Sequence, residues 1–202
     1  EQESEPLEPL TSGTSARPIR SFVRRAGRLT PGQAKALEDL LPKYGVPSQL
    51  GSISSQTLFG EEKPLVIEIG FGYGDALVWM AQQQPEYGFI GLEVHRPGVG
   101  HALRAIESQQ LENVRVLEAD AVAFIQQHIA PQSLAGIRVY FPDPWHKKRH
   151  NKRRLIQDQF VELVVSRLQA GGILHLATDW QHYAEQMTVS YTHLRAHETD
   201  RH

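Results

Sequence analysis

From Pro64 onward, short apolar runs alternate with segments of helical periodicity, and this alternation constrains the fold more than any other feature of the chain. The apolar runs predict five strands, at Leu65 to Ile69, Tyr87 to Leu92, Val114 to Leu117, Ile137 to Phe141 and Ile173 to Ala177. The segments that follow them predict helices at about Gly74 to Gln84, Arg96 to Gln110, Ala121 to His128, Lys152 to Leu168 and Trp180 to Met187. Repeated strand–helix units form parallel sheets with right-handed crossovers. The sequence therefore predicts an α/β fold with a Rossmann-like, doubly wound, mostly parallel sheet.

The residues before this domain differ from it in composition. Residues 1 to 16 are acidic and rich in Ser, Thr, Pro and Gly, so we expect a disordered acidic tail. Residues 17 to 63 begin with a basic segment and continue with a short helix, which Thr30 caps and Pro42 stops. Because Pro, Gly and Ser punctuate residues 42 to 63, we expect a surface connection there.

The end of the chain departs from the alternating pattern. The segment VSYTHLRAHET, Val189 to Thr199, has neither helical nor strand periodicity, and it resembles a translated sequencing-adapter read-through. We therefore expect residues 189 to 202 to be non-native. The domain over residues 64 to 188 is then expected to be incomplete.

Composition excludes several kinds of function. The chain has no cysteine, which rules out disulfides and thiolate chemistry. No apolar run approaches the roughly 18 to 20 residues that a membrane helix needs, and no signal pattern opens the chain, so we expect a cytoplasmic protein without a membrane partner. The histidines His95, His146 and His150 show no metal-ligand pattern, so we expect no metal site.

The formal net charge of −2 conceals two basic patches. Five arginines fall between Arg17 and Arg28, and six Lys or Arg residues fall between Lys147 and Arg154, so that the two patches hold 11 of the 21 cationic residues. Positive charge concentrated in this way attracts polyanions. For the N-terminal patch, a solvated charged face is the alternative.

The stretch Phe141 to Arg154, FPDPWHKKRHNKRR, joins a rigid acid to the second basic patch. Pro142 and Pro144 stiffen the backbone around Asp143, because each proline fixes its own φ and pushes the preceding residue towards extended geometry. A carboxylate held beside the indole of Trp145, with a cationic strip behind it, suits a flat polar group that is attached to phosphate. The alternative is a tight turn followed by the start of a solvated basic helix.

Three glycines at alternate positions, Gly70, Gly72 and Gly74, follow the first strand and open a helix. This G-x-G-x-G loop allows a cofactor to lie close against the backbone, and it differs from the dinucleotide pattern G-x-G-x-x-G. Glu68, two residues before the first glycine, suits a cationic or amine-bearing cofactor and would repel a pyrophosphate. The loop therefore disfavours a nucleotide-binding oxidoreductase.

Acidic residues also end or follow the other strands. Glu93 ends the second strand, where an acid accepts hydrogen bonds from both hydroxyls of a ribose. Asp120 ends the third strand, where it would either bind an adenine amino group or cap the helix that follows. Asp143 follows the fourth strand and Asp179 follows the fifth. All of these groups belong to the carboxyl ends of strands, which is where open α/β sheets bind ligands.

Five segments together give a specific resemblance. The chain resembles the bacterial tRNA (guanine-N7-)-methyltransferase family, which uses S-adenosylmethionine, over roughly residues 17 to 187. The matching segments are VRRAGRLTPGQ (Val23 to Gln33), EIGFGYG (Glu68 to Gly74), GLEVHRPGVG (Gly91 to Gly100), YFPDPWHKKRHNKRR (Tyr140 to Arg154) and LATDWQHYAE (Leu176 to Glu185). The resemblance implies a class I methyltransferase fold. It also implies two further strands and a substrate-contacting Thr-Lys-Phe-Glu segment at the end, which this chain lacks, so we expect the C-terminal strands to be missing.

The resemblance also implies roles for individual residues. The cofactor-binding residues would be Glu68, Gly70, Gly72, Glu93, Asp120 and Asp143. The substrate would contact Lys147 and Asp179, and the tRNA backbone would contact Arg149, His150, Asn151, Lys152, Arg153 and Arg154. Asp143 is the expected catalytic residue: guanine N7 carries a free lone pair, so the site needs an acceptor that orients the base rather than a general base.

The expected function is transfer of a methyl group from S-adenosylmethionine to N7 of a guanine in the variable loop of tRNA, by a monomer or weak homodimer. Two alternatives stay open. One is a class I methyltransferase that acts on another RNA, and the other is a non-catalytic or truncated RNA-binding fragment. The side chain of Trp145 is expected either to stack on a base or on the cofactor, or to pack beneath the motif as core.

Overall fold

The computed structural model describes residues 27–47 and 51–199, with side chains described up to residue 192. Its centre is a five-stranded sheet. The strands are β1 (Leu65–Ile69), β2 (Gly88–Glu93), β3 (Val114–Glu118), β4 (Leu134–Tyr140) and β5 (Leu168–Ala177). All neighbouring strands are parallel, in the order β3-β2-β1-β4-β5. The predicted α/β, doubly wound, parallel fold is confirmed.

Eight α-helices and one 3₁₀ helix are described around this sheet. The α-helices are α1 (Pro31–Asp39), α2 (Leu41–Tyr44), α3 (Ser55–Phe59), α4 (Asp75–Gln83), α5 (Arg96–Ser108), α6 (Ala121–His128), α7 (Asp158–Arg167) and α8 (Gln181–Thr199). The 3₁₀ helix, η1, spans Lys148–Arg153. Thr30 caps α1 as predicted, because its side chain accepts a hydrogen bond from the Gln33 N–H while the Gln33 side chain accepts one from the Thr30 N–H.

Apolar side chains cover both faces of the sheet, which is why the central strand β1 is buried along its whole length. On one face, α1, α4 and α5 pack against a cluster that contains Val66, Phe89 and Val116. On the other face, α6, α7 and α8 pack against a cluster that contains Ile67 and Ile137. The helices do not cover the carboxyl ends of the strands, and the loops that follow these ends carry most of the predicted site residues.

The structure corrects the expected surface connection over residues 42 to 63. The described part of this segment contains α2 and α3, and it contributes the buried side chains Tyr44, Val46, Ile53 and Leu58 to the two cores. The serine and glycine residues that suggested a loop lie instead at the two ends of a helix. Ser54 caps α3, and Gly60 ends it in the left-handed conformation.

Two further expectations about helices are wrong. The predicted helix from Lys152 to Leu168 is divided, because η1 ends at Arg153 and α7 begins only at Asp158. The segment Val189 to Thr199, which shows no helical periodicity in the sequence, is helical, since the helix that begins near Trp180 continues as α8 to Thr199. The non-native origin of residues 189 to 202 stays a prediction. The expected acidic tail and most of the first basic patch lie outside the described residues.

Candidate active site

A cleft opens at the carboxyl edge of the sheet, between the ends of β1, β2, β3 and β4. The strand order reverses between β1 and β4, which is the position where open α/β sheets bind ligands. Four of the predicted site residues line the cleft: Gly70, Glu93, Asp120 and Asp143. Its apolar walls come from Ile69, Leu92, Val94, Val122, Val139 and Leu155. Polar groups at the rim and apolar walls suit a ligand that has both polar and flat apolar parts.

The glycine loop presents bare backbone to this edge. Gly70 and Gly72 have φ values of 72° and 61°, in the left-handed region that favours glycine. A Cβ atom built on either residue would meet no atom of the described residues within 4 Å, apart from its chain neighbours. These two glycines are therefore required by backbone conformation rather than by packing, and the space beside them is open to a ligand.

Glu93 holds the glycine loop against the end of β2. Its Oε2 accepts a hydrogen bond from the Gly72 N–H at 2.7 Å, and its Oε1 accepts from the N–H groups of Val94 at 2.7 Å and His95 at 2.9 Å. The side chain is only 8% exposed. A carboxylate offers about four acceptor positions, so these contacts leave about one for a ligand. The predicted ribose contact would share Glu93 with the loop that it supports.

Glu68 is buried beside the cleft and does not line it. Successive residues of a strand point to opposite faces, so Glu68 lies on the face opposite Ile69. The residue is 2% exposed, and its Oε2 has no hydrogen-bond partner among the described residues. Burial raises the pKa of the Glu68 carboxyl to about 7, although the nearby charge of Arg138 lowers it. A buried carboxylate oxygen without a partner is a costly arrangement, which a hydrogen-bond donor or cation would relieve.

Asp120 fulfils one of its two predicted roles in the structure. Its Oδ1 accepts a hydrogen bond from the Ala123 N–H at 3.1 Å and so caps α6. The residue also lines the cleft. Capping and ligand contact are therefore compatible, because the cap uses one of the two carboxylate oxygens.

The loop after β4 places Asp143 at the mouth of the cleft, where its side chain is exposed. The residues on either side of the Pro-Asp-Pro segment, Phe141 and Trp145, have φ values of 49° and 45°. Few non-glycine residues adopt such values, and those that do are held there by their surroundings. The loop therefore has an uncommon backbone conformation that the surrounding structure holds in place.

The loops after β4 and β5 are adjacent, so they bring the predicted substrate residues to one edge. The Phe141 N–H donates to the Ala177 carbonyl at 2.9 Å, and the rings of His146 and Trp180 meet edge to face with centroids 4.2 Å apart. Lys147 on the first loop and Asp179 on the second are both exposed. Asp143, Lys147 and Asp179 therefore face solvent at the same end of the sheet.

Most of the predicted RNA-binding residues lie on η1, and their exposure varies. Lys147, Lys148, Arg149 and Lys152 are exposed, whereas His150, Asn151 and Arg153 are half-buried. Desolvation, followed by the charges of Arg153, Arg149 and other neighbouring cations, lowers the pKa of His150. We refer to residues 147–153 as the basic strip.

Trp145 packs beneath the basic strip. The guanidinium of Arg153 lies 5.2 Å from the Trp145 ring centroid, and the His150 ring meets the indole edge to face at 5.9 Å. These contacts give the indole the packing role that was one of its two predicted roles.

The structure contradicts the assignment of Arg154 to the RNA-binding surface. Its side chain is 1% exposed, and its guanidinium binds groups of the protein itself. A guanidinium that is enclosed in this way cannot reach a phosphate. Sequence position suggested the wrong role because Arg154 directly follows the basic residues of η1.

Sequence reasoning missed Arg138, which lies beside Glu68 in the register of β4 against β1. The guanidinium of Arg138 contacts the Met80 sulfur and lies 5.8 Å from the Phe89 ring centroid. A charged residue within the otherwise apolar strand Leu134–Tyr140 was the available signal. A second missed feature is Phe141, which is 66% exposed at the mouth of the cleft.

Two other predictions can be compared with the described part of the chain. Within it, no three His, Asp or Glu side chains are grouped so that they could hold a metal ion. None of the described helices is both long and apolar enough to cross a bilayer.

The strand order and the cleft define a Rossmann-like α/β fold, the class that binds ligands at the carboxyl edge of its sheet. Solved structures, a methyltransferase among them, share this fold at low sequence identity. A precorrin-6y C5,15-methyltransferase from Geobacter metallireducens has a TM-score of 0.51 and 14% identity, over 78% of this chain and 67% of that one. TrmN from Thermus thermophilus has a TM-score of 0.50 and 19% identity, over 67% of this chain and 38% of that one.

Sequence comparison identifies the family. A family model described as "Putative methyltransferase" matches residues 62–201. A tRNA (guanine-N(7)-)-methyltransferase from Methylobacillus flagellatus is 56% identical over 84% of this chain and 71% of its own length. Those from Idiomarina loihiensis and Thiobacillus denitrificans are 50% and 52% identical, each over 89% of this chain and over 74% and 80% of their own lengths. The chain belongs to the tRNA (guanine-N7-)-methyltransferase family, as the sequence segments predicted.

Proposed function

We propose that the protein transfers a methyl group from S-adenosylmethionine to N7 of a guanine in the variable loop of tRNA. The observation that carries the proposal is the meeting of two half-sites at one edge of the sheet. The glycine loop and the carboxyls of Glu93 and Asp120 form one half, and Asp143 with the basic strip forms the other. Membership of the tRNA (guanine-N7-)-methyltransferase family supports the same reaction.

The residues on the cofactor side fit S-adenosylmethionine. The open backbone at Gly70 and Gly72 gives room for close approach, and Glu68 has a buried oxygen that lacks a donor. The cofactor carries an ammonium and a ribose, which match a buried carboxylate and the remaining acceptor position of Glu93. When bound, S-adenosylmethionine supplies an electrophilic methyl group on a sulfonium. We assign Glu68, Gly70, Gly72, Glu93, Asp120 and Asp143 to its binding.

Asp143 is the proposed catalytic residue. Guanine N7 is nucleophilic in the neutral base, so the protein has to orient the base and exclude water rather than remove a proton. An exposed carboxylate on a rigid loop at the mouth of the cleft can accept hydrogen bonds from guanine N–H groups. Lys147 and Asp179, which lie at the same edge, are the proposed further substrate contacts.

The basic strip is the proposed contact surface for the tRNA backbone. Its exposed cations lie directly beside the loop that carries Asp143, so a phosphate chain bound there would bring a base to the cleft. The proposed backbone contacts are Arg149, His150, Asn151, Lys152 and Arg153. We further propose that the enzyme works in the cytoplasm without a metal ion, as a monomer or weak homodimer.

Methyl transfer to unmodified tRNA tests the proposed function. The protein is incubated with labelled S-adenosylmethionine and unmodified tRNA, and the product nucleoside is identified after digestion. We expect N7-methylguanosine from the variable loop. Asp143→Asn should lower the transfer rate by roughly a hundredfold or more while tRNA affinity changes little, because it removes the charged acceptor and keeps the size of the side chain.

Asp39→Asn is the matched control, since Asp39 lies on α1 and pairs with Lys35 at the surface. It should transfer methyl groups at the wild-type rate. Label in another RNA, or tRNA binding without any transfer, would refute the proposed reaction. Transfer by Asp143→Asn at close to the wild-type rate would refute the role of Asp143 alone.

A further inference from the structure

We propose that Arg154 is a positioning residue that holds the Phe141–Trp145 loop, and with it Asp143, in the conformation that transfer requires. This inference rests on the proposed function, because the loop matters for catalysis only if Asp143 faces the substrate base. It replaces the predicted RNA contact of Arg154 with an internal role.

The guanidinium of Arg154 joins the loop after β4 to helix α8. Its Nε donates to the Pro144 carbonyl at 2.7 Å, and its Nη1 donates to Gln186 Oε1 at 2.6 Å. The same Nη1 lies 2.9 Å from His182 Nδ1, and the guanidinium carbon lies 4.8 Å from the Tyr183 ring centroid. Pro144 directly follows Asp143, so the clamp acts one residue from the proposed catalytic carboxylate.

The loop needs such a clamp because its backbone is unusual. Phe141 and Trp145, on either side of the Pro-Asp-Pro segment, both have positive φ. Conformations of this kind persist only where the surroundings determine them. The hydrogen bond from Arg154 to the Pro144 carbonyl lies between these two residues, whereas the Asp143 side chain itself is exposed to solvent.

The other end of the clamp is anchored independently of the loop. The Ile156 N–H donates to the Tyr183 hydroxyl at 3.0 Å, and the Gln186 amide donates to the Ile156 carbonyl at 2.9 Å. The segment that follows Arg154 is therefore fixed to α8 by bonds that do not involve the guanidinium. Since α8 begins two residues after Asp179, Arg154 links the loop that carries Asp143 to the helix that directly follows the loop of Asp179.

Only an arginine has the shape for this position. Its planar fork donates in several fixed directions, so one side chain serves Pro144 on one side and Gln186 on the other while the ring of Tyr183 covers its face. The ammonium of a lysine keeps the charge but not this directional pattern. Arg154→Lys therefore separates a geometric role from an electrostatic one.

The experiment compares Arg154→Lys with Arg115→Lys. Arg154→Lys should lower kcat for tRNA methylation by roughly tenfold to a hundredfold, because small displacements of a reacting group have large effects on rate. The KM for S-adenosylmethionine and the Kd for tRNA should change by less than about threefold. Amide hydrogen exchange should become faster in peptides that cover residues 141–147 and stay unchanged in those that cover α4 and α5.

Arg115→Lys is the matched control because it makes the same substitution at another guanidinium that donates to backbone carbonyls, those of Glu112, Val114 and Leu58, none of which belongs to the Phe141–Trp145 loop. It should lower the Tm and leave kcat within about twofold at a temperature well below the Tm. If Arg154→Lys does not fold, Gln186→Ala is judged by the same readouts, since it removes one acceptor of the guanidinium. It should shift exchange and kcat in the same direction by a smaller factor.

Three results would overturn the proposal. The first is unchanged exchange in residues 141–147, and the second is faster exchange with a wild-type kcat. The third is weaker tRNA binding with a smaller salt dependence and a normal kcat, which would return Arg154 to the RNA surface. If the wild-type protein methylates no tRNA, the proposed function fails, and the exchange data still decide whether Arg154 holds the loop.

Discussion

At the scale of single residues, the acidic side chains at the strand ends differ in their hydrogen-bond partners. Glu93 and Asp120 are engaged with backbone N–H groups, and they shape the loops around the cleft. Glu68 is different, because its buried Oε2 has no hydrogen-bond partner among the described residues and because burial raises its pKa to about 7. Groups with perturbed pKa values cluster at functional sites, which favours the proposed role of Glu68 in cofactor binding.

The raised pKa of Glu68 predicts how stability depends on pH. The folded-state pKa lies above the ordinary value of 4.5. Between about pH 4.5 and 7, the folded protein therefore keeps a proton on Glu68 that the unfolded chain has lost. The free energy of unfolding should therefore be highest below pH 4.5, as far as Glu68 is concerned, and fall as the pH rises through 7. Glu68→Gln should be more stable than the wild type at pH 8, by up to about 3 kcal/mol, and the difference should shrink to about 1 kcal/mol or less at pH 5.

Urea unfolding of both proteins from pH 5 to pH 8 measures this difference. Parallel stability curves for the two proteins would show that Glu68 does not titrate in this range. Added S-adenosylmethionine should stabilise the wild type more than Glu68→Gln at pH 8, because only the wild type offers a buried carboxylate to the cofactor.

At the scale of elements, the start of helix α5 packs directly against the glycine loop. A Cβ atom on Gly98 would lie 2.1 Å from the Gly72 carbonyl oxygen and 3.0 Å from its carbonyl carbon. Both are backbone atoms of the loop, so they cannot turn aside as a flexible side chain would. The start of α5 can therefore pack this closely on the loop only because residue 98 has no side chain.

Gly98→Ala should consequently displace the glycine loop. We expect a loss of about 1–3 kcal/mol in the free energy of unfolding, which is typical of overpacking, together with weaker binding of S-adenosylmethionine. Unfolding in urea and titration calorimetry measure the two effects. Gly51→Ala is the matched control, since a Cβ there meets no atom of the described residues within 4 Å. Wild-type cofactor affinity in Gly98→Ala would show that the loop tolerates the displacement.

At the scale of the whole molecule, the charge is distributed unevenly around a net value of −2. The exposed cations of η1 lie at the carboxyl edge of the sheet, beside the cleft. Helices α1 and α2 carry Lys35 and Lys43, which are paired with Asp39 and Glu107. A polyanion should therefore be drawn to the cleft edge in spite of the slightly acidic total charge.

The salt dependence of tRNA binding tests this distribution. The double variant Lys148→Gln/Arg149→Gln should bind tRNA more weakly and reduce the slope of log K against log salt by on the order of one unit for each phosphate that the protein no longer binds. Lys35→Gln/Lys43→Gln removes the same charge from α1 and α2, and it should leave the slope unchanged. Equal slopes for the two double variants would mean that the net charge, and not the basic strip, governs binding.

Local patterns in the sequence were sufficient to predict the fold and the position of the candidate site. Alternation of apolar runs with helical periodicity predicted the parallel sheet, and acids at strand ends predicted the edge where Glu93, Asp120 and Asp143 meet. Both patterns can be recognised within short stretches of sequence. Because the strands are parallel, their carboxyl ends lie at the same edge of the sheet. The helices were less predictable where Gly, Pro and Ser serve as caps, as at Ser54 and Gly60.

Tertiary structure decided which groups are enclosed. Arg154 stands in a run of cations that looks uniform in sequence, yet its partners His182 and Gln186 lie 28 and 32 residues away on α8. The strands and helices around Glu68 bury its carboxyl, and the charge of Arg138 becomes its neighbour only through the pairing of β1 with β4. The sequence by itself thus determined the sheet, the family and the edge where the cleft lies. Packing between distant segments determined which charged side chains are exposed and which are buried, because burial depends on what lies across the core and not on what lies next in the chain.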